Sequence, residues 1–104
     1  MNKPPSAVAN VYIVNKGPHD YRDAERFGNL VFCTDGSLDR WDVAQMHREL
    51  SESMRDSVED DYILLTSLTS LCSIACGVFA RKHGRLNLLI FRDEKYVERT
   101  IVFD

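Results

Sequence analysis

Tyr62-Ile63-Leu64-Leu65-Thr66-Ser67-Leu68-Thr69-Ser70-Leu71-Cys72-Ser73-Ile74-Ala75-Cys76-Gly77-Val78-Phe79-Ala80 is a run of nineteen residues without a charge, and its reading decides the fold. The length approaches that of a bilayer span. The flanks Glu59-Asp60-Asp61 and Arg81-Lys82-His83 would even suit a span with its C-terminal end inside. Against this, five hydroxyl residues (Thr66, Ser67, Thr69, Ser70 and Ser73) cluster towards the middle of the run. Its character also changes, from a strand-like Tyr-Ile-Leu-Leu to a helix-like stretch beginning at Leu68. A buried strand followed by a buried helix leaves the same gap in charge. Amphipathic patterns on both sides favour that reading, and a membrane span over 62–80 is the weaker alternative.

Working outward, the helix runs to His83, where cationic residues suit its C-terminal dipole and Gly84 can end it. Leu86–Phe91 is a strand, Arg92-Asp93-Glu94-Lys95 a four-residue connection, and Tyr96–Phe103 an antiparallel return. Upstream, Val43, Met46, Leu50 and Met54 recur at helical spacing, with Ser37 or Asp39 as the cap and Trp41 packed at the start. Leu30–Cys33 and Val11–Val14 are short strands rich in apolar residues. Between them lies the polar stretch 15–29, in which Tyr21–Phe27 could form a helical turn. The expected order is β-β-α-β-α-β-β, an α/β fold with a small Rossmann-like mixed sheet and a C-terminal antiparallel hairpin.

One hundred and four residues make a single domain, with 1–10 as a flexible tail and 11–104 as the folded unit. The N-terminal tail lacks the apolar core of a signal peptide. A hydrophobic content of 44% excludes wholesale disorder. Thirteen basic against sixteen acidic residues argue against a strong non-specific nucleic-acid coat. Cysteine is sparse and odd in number (Cys33, Cys72 and Cys76), which fits a reducing, cytoplasmic setting rather than a disulfide scaffold.

In open α/β sheets ligands gather at the carboxyl ends of the strands. Two segments would meet there: the loop carrying Lys16, His19, Asp20, Tyr21 and Arg22, and the helix start carrying Thr66, Ser67 and Thr69. Free amides and hydroxyls at that start, faced by cations, suit a phosphate-bearing or nucleotide-like ligand. The glycine-rich fingerprints of nucleotide binding are absent, and a hydroxyl at a helix start is more often simply a cap. His19-Asp20 could instead serve a small hydrolase or nuclease as base and orienting carboxylate, although adjacent loop residues rarely hold that geometry. Cys72 and Cys76 share a helix face, but nothing nearby completes a metal site, so neither metal nor cofactor is expected. His47 reads as a core-edge histidine. The acidic run Asp56, Glu59, Asp60, Asp61 reads as a solvated loop. A helix apolar nearly all round needs cover, so a homo-oligomer, a dimer through this helix or a sheet edge, is expected.

Asn-Lys-Gly-Pro-His-Asp-Tyr at 15–21, Asp-Ala-Glu-Arg-Phe-Gly at 23–28 and His-Gly-Arg-Leu-Asn-Leu-Leu-Ile-Phe-Arg at 83–92 resemble short proteins of the phage or mobile-element type. The resemblance covers most of the chain from Val11 and brings no catalytic residues with it. It implies a setting in which small proteins regulate or block host systems. Two expectations follow: a binding protein for a nucleotide-like small molecule, or a ligand-free inhibitor or regulator that docks on a host protein.

Overall fold

The computed structural model describes residues 8–35, 38–66 and 68–104. The architecture is α/β: β1 (Asn10–Ile13), a 3-10 helix (Arg22–Phe27), β2 (Asn29–Phe32), α1 (Val43–Ser53), β3 (Tyr62–Leu64), α2 (Thr69–His83), β4 (Arg85–Arg92) and β5 (Lys95–Val102). The five strands form one mixed sheet in the order β2-β1-β3-β4-β5. The first four are mutually parallel, and β5 returns antiparallel to β4. The chain thus leaves β1 for β2 on one side and later enters β3 on the other, so β1 and β3 flank the point where the winding reverses.

Strand alternation divides the core. Tyr12, Ile63 and Leu86 face the layer of Met46, Leu50 and Met54, with Leu71, Ala75 and Phe79 from α2. Val11, Ile13, Leu64 and Leu89 face the other way, under Tyr21, Ala24 and Tyr96. The charge-free run therefore splits into β3 and α2. Among the described residues no helix is long and apolar enough to cross a membrane.

Several local expectations are corrected. Asp42, not Asp39, caps α1, its side chain accepting from Gln45 N–H at 3.0 Å, while Asp39 supports the preceding turn through Trp41 N–H. Ser37, the other expected cap, lies outside the described residues. Because the helix begins only at Val43, Trp41 lies outside its phase and is 85% exposed rather than packed. His47 is exposed too: it follows Met46 by one residue, a rotation of about 100° away from the buried stripe. Leu71, Ala75 and Phe79 bury one side of α2, and Thr69, Ser70, Ser73 and Gly77 turn outward. That helix is already covered where it is most apolar. The final hairpin closes through two residues rather than four, since Arg92 pairs with Lys95 and both Asp93 and Glu94 take left-handed φ.

Polar groups fix the opposite, N-terminal edge of the parallel strands. Buried Asp61 accepts from Asn10 N–H and Val58 N–H, both at 2.9 Å. Buried Asn87 donates to the Glu59 and Asp61 carbonyls at 2.6 and 2.8 Å and accepts from Thr100 Oγ1. Each buried polar atom here has a partner, which is the condition for placing such groups in a core.

Candidate functional site

The loop after β1 is tied at both ends. Thr34 Oγ1 bridges to the Val14 carbonyl and Asn15 Oδ1 at 2.8 and 2.7 Å, and Lys16 N–H reaches the Thr34 carbonyl at 2.9 Å. Tyr21 then folds back beneath its own loop. Its hydroxyl accepts from Gly17 N–H at 3.0 Å and lies 3.5 Å from the Asn15 carbonyl, to which it donates. The ring is buried edge-on against Phe32. The 3-10 helix starts from the Tyr21 carbonyl, which takes the Ala24 N–H.

This arrangement aims His19, Asp20 and Tyr21 at the carboxyl end of β3. With Leu65, Thr66, Phe91 and Tyr96 they line a cleft of about 260 Å³. Phe91 stands 58% exposed at its wall, in tilted contact with the buried Tyr96 ring 5.1 Å away. Thr66 is held from behind by a thiol: its N–H donates to Cys72 Sγ, and that S–H donates back to the Thr66 carbonyl, both at 3.3 Å. Cys72 therefore closes the loop between β3 and α2, a task its apolar neighbours would not suggest.

Asp20 is engaged with Arg22, accepting Nε and Nη2 at 3.0 and 2.7 Å and the Arg22 N–H at 3.0 Å. These bonds hold its carboxyl down at about 2. Among the described residues no hydrogen bond joins His19 to Asp20; the His19 ring instead meets Tyr21 edge-on. Lys16 is placed one ring further out, its Nζ 5.3 Å over Phe32. Thr69 lines a separate depression with Trp41, Val43 and Leu71. It also shares a shallow groove with Thr66 and Cys76. Ser67 lies outside the described residues.

The expected set is thus only partly assembled: His19, Asp20, Tyr21 and Thr66 converge, Arg22 sits at the rim through Asp20, and Lys16 and Thr69 stand apart. Phe91 and Tyr96 join the cleft from outside the expected set. They reach the cleft because the hairpin extends beyond the three-residue β3 and carries this ring pair past the sheet edge. Burial pushes the Cys33 thiol up to about 12 and raises Cys76. Among the described residues no cluster of side chains is suited to a metal ion. At the far end of the sheet Ser57 Oγ and His83 Nε2 lie 2.8 Å apart, with Ser57 buried.

No curated protein and no solved structure matches the chain. A family model does, over residues 9–103, nearly the whole of the folded chain and all three segments that carry the phage-type resemblance. The protein belongs to the family of phage Pam3 gp32-like proteins.

Proposed function

We propose that this phage-type protein is a small binding module whose cleft at the carboxyl edge of β1, β3 and β4 takes a compact, ring-bearing ligand of the nucleotide type. The observation that carries the reading is the convergence of His19, Asp20, Tyr21 and Thr66 with the Phe91–Tyr96 ring pair around one cleft. If the layer is Rossmann-like, this is also the edge where such folds take their ligands. Aromatic walls offer a planar ring a stacking surface, while Thr66 and His19 supply hydrogen bonds that orient it. A volume of about 260 Å³ suits a small ligand rather than a dinucleotide. A phosphate would lie at the rim. There the Asp20–Arg22 pair is solvent-exposed and contributes little, so Arg22 can turn from a carboxylate to a phosphate.

Native mass spectrometry of protein purified from cells tests this. A discrete mass excess retained by wild type and lost from Phe91→Ala and Thr66→Val is expected. Equal retention by the wild type and both variants would place any ligand elsewhere.

A second reading, a regulator that docks on a host protein, is favoured by Trp41. An exposed tryptophan beside a depression lined by Val43, Met46, Leu68 and Leu71 has the chemistry of an interface anchor. Trp41→Ala should abolish partner capture in this reading and leave a ligand in the cleft untouched in the first.

A further inference from the structure

We infer that two copies of the chain join edge to edge through β5, antiparallel and centred on Thr100, to make one continuous sheet.

The alternation along β5 is fixed by its ends. Lys95 closes the hairpin with Arg92, and Phe103 N–H donates to the Gly84 carbonyl at 2.9 Å. Odd-numbered residues therefore direct their backbone groups to β4, and Tyr96, Glu98, Thr100 and Val102 direct theirs outward. The outward groups of Tyr96 are already taken: its N–H by Asp23 Oδ2 at 2.7 Å, its carbonyl by the Arg26 guanidinium. The 3-10 helix thus seals the first part of the edge and stops there. Among the described residues, the outward backbone groups from Glu98 to Val102 remain open, apart from a bond from the flexible Arg99 guanidinium to the Glu98 carbonyl. The opposite edge, β2, has only four residues. Short edges resist pairing, and long apolar ones invite it.

The end of the open segment is apolar, with Ile101 48% and Val102 68% exposed on opposite faces and Phe103, just beyond it, 47%. Charge selects a second copy of the chain and its register. In a two-fold antiparallel pair, the residue at the centre faces itself. A centre at Glu98 or at Arg99 opposes like charges directly, a centre at Val97 opposes Lys95 to Arg99, and a centre at Ile101 opposes Glu98 to Asp104. Centring on Thr100 opposes no like charges, and unlike a centre at Val102 it pairs all three outward residues within the strand. It sets Thr100 against Thr100, Glu98 against Val102, Arg99 against Ile101 and Val97 against Phe103. The three outward residues of each copy then exchange about six backbone hydrogen bonds. The sealed Tyr96 lies beyond this segment, so the 3-10 helix also limits the overlap.

Sedimentation equilibrium on the full chain, with hydrogen exchange read by NMR, tests this. Wild type should have twice the 11.9 kDa chain mass at about 100 µM. The Glu98, Thr100 and Val102 amides should then exchange as slowly as those of Val97 and Arg99. Thr100→Pro removes an outward N–H that β4 does not use, and Thr100→Lys places two cations face to face. Both should give the single-chain mass with an unchanged circular dichroism spectrum. A monomeric wild type, fast exchange at the three outward amides, or a dimer that survives both substitutions would overturn the proposal. The exchange measurement needs no variant, so misfolding of either one leaves the proposal open to refutation.

Discussion

Asp23 Oδ2 accepts the backbone N–H of Tyr96 at 2.7 Å, fastening the 3-10 helix to an edge strand far along the chain. The Tyr96 amide, with help from Arg26, also holds the Asp23 carboxyl below its ordinary range. The same bond sets one wall of the cleft, because Tyr96 lies between Asp23 and Phe91.

Asp23→Asn should therefore loosen the helix from the strand and speed exchange of the Tyr96 amide. A carboxyl lowered on folding contributes stability above its unfolded pKa and loses it as pH falls through the folded value. The stability gap between wild type and Asp23→Asn should accordingly narrow in acid. Thermal melts across pH check this, and a gap that widens in acid would contradict it.

Gly28→Ala should destabilise the fold by roughly 1–3 kcal/mol through overpacking. A Cβ at this position would stand 2.0 Å from the Ala9 carbonyl oxygen, which already accepts the Asn29 N–H. Since that oxygen belongs to backbone, relief requires moving the entry to β1. Melting temperature reports the loss, and an unchanged value would contradict the close approach.

Asn87 joins β4 to the loop before β3, and replacing it by leucine leaves the Glu59 and Asp61 carbonyls without its amide. An unsatisfied buried group costs about 1–3 kcal/mol, and of the two bonds the one to the Asp61 carbonyl is the buried one, so a loss of that order is expected in urea denaturation. Asn87→Asp should be worse, because it sets a buried carboxylate against two carbonyl oxygens. Equal stability of Asn87→Leu and wild type would show that these bonds contribute nothing net.

Among the described residues the hairpin turn is where side-chain chemistry and backbone conformation disagree. Asp93 and Glu94 have φ of 52° and 67°, and a left-handed residue with a side chain costs about 1–2 kcal/mol. Glu94→Gly should raise the melting temperature by several degrees. A fall would mean that the Glu94 side chain makes a compensating contact.

That turn also shows where the sequence could and could not be read. The extended apolar runs around Ile13, Ile63 and Leu88 and the stripe through Met46 and Leu50 are signals of period, which local chemistry carries directly. The α/β order followed from them. A four-residue connection is the natural reading of Arg92-Asp93-Glu94-Lys95, because Glu94, unlike Asp93, does not favour the left-handed region the tight turn requires. Trp41 falls outside the helix because a turn at Asp39 moves the cap three residues on, from Asp39 to Asp42. In the cleft, His19, Tyr21 and Thr66 were legible from strand polarity, since residues after parallel strands must share an edge. Phe91 and Tyr96 were not, because their place depends on how far β4 outruns β3. Nor could spacing show that Asp20 binds Arg22, as side-chain pairing within a loop depends on a fold that the loop alone does not encode.

The most direct test is an NMR titration of the full chain with a nucleoside 5′-monophosphate, following every backbone amide. Binding in the cleft predicts saturable shifts grouped at His19, Asp20, Tyr21, Leu65, Thr66, Phe91 and Tyr96, with smaller ones at Arg22, and their loss in Phe91→Ala. Amides that stay unmoved at millimolar ligand, or shifts grouped around Trp41 instead, would contradict it.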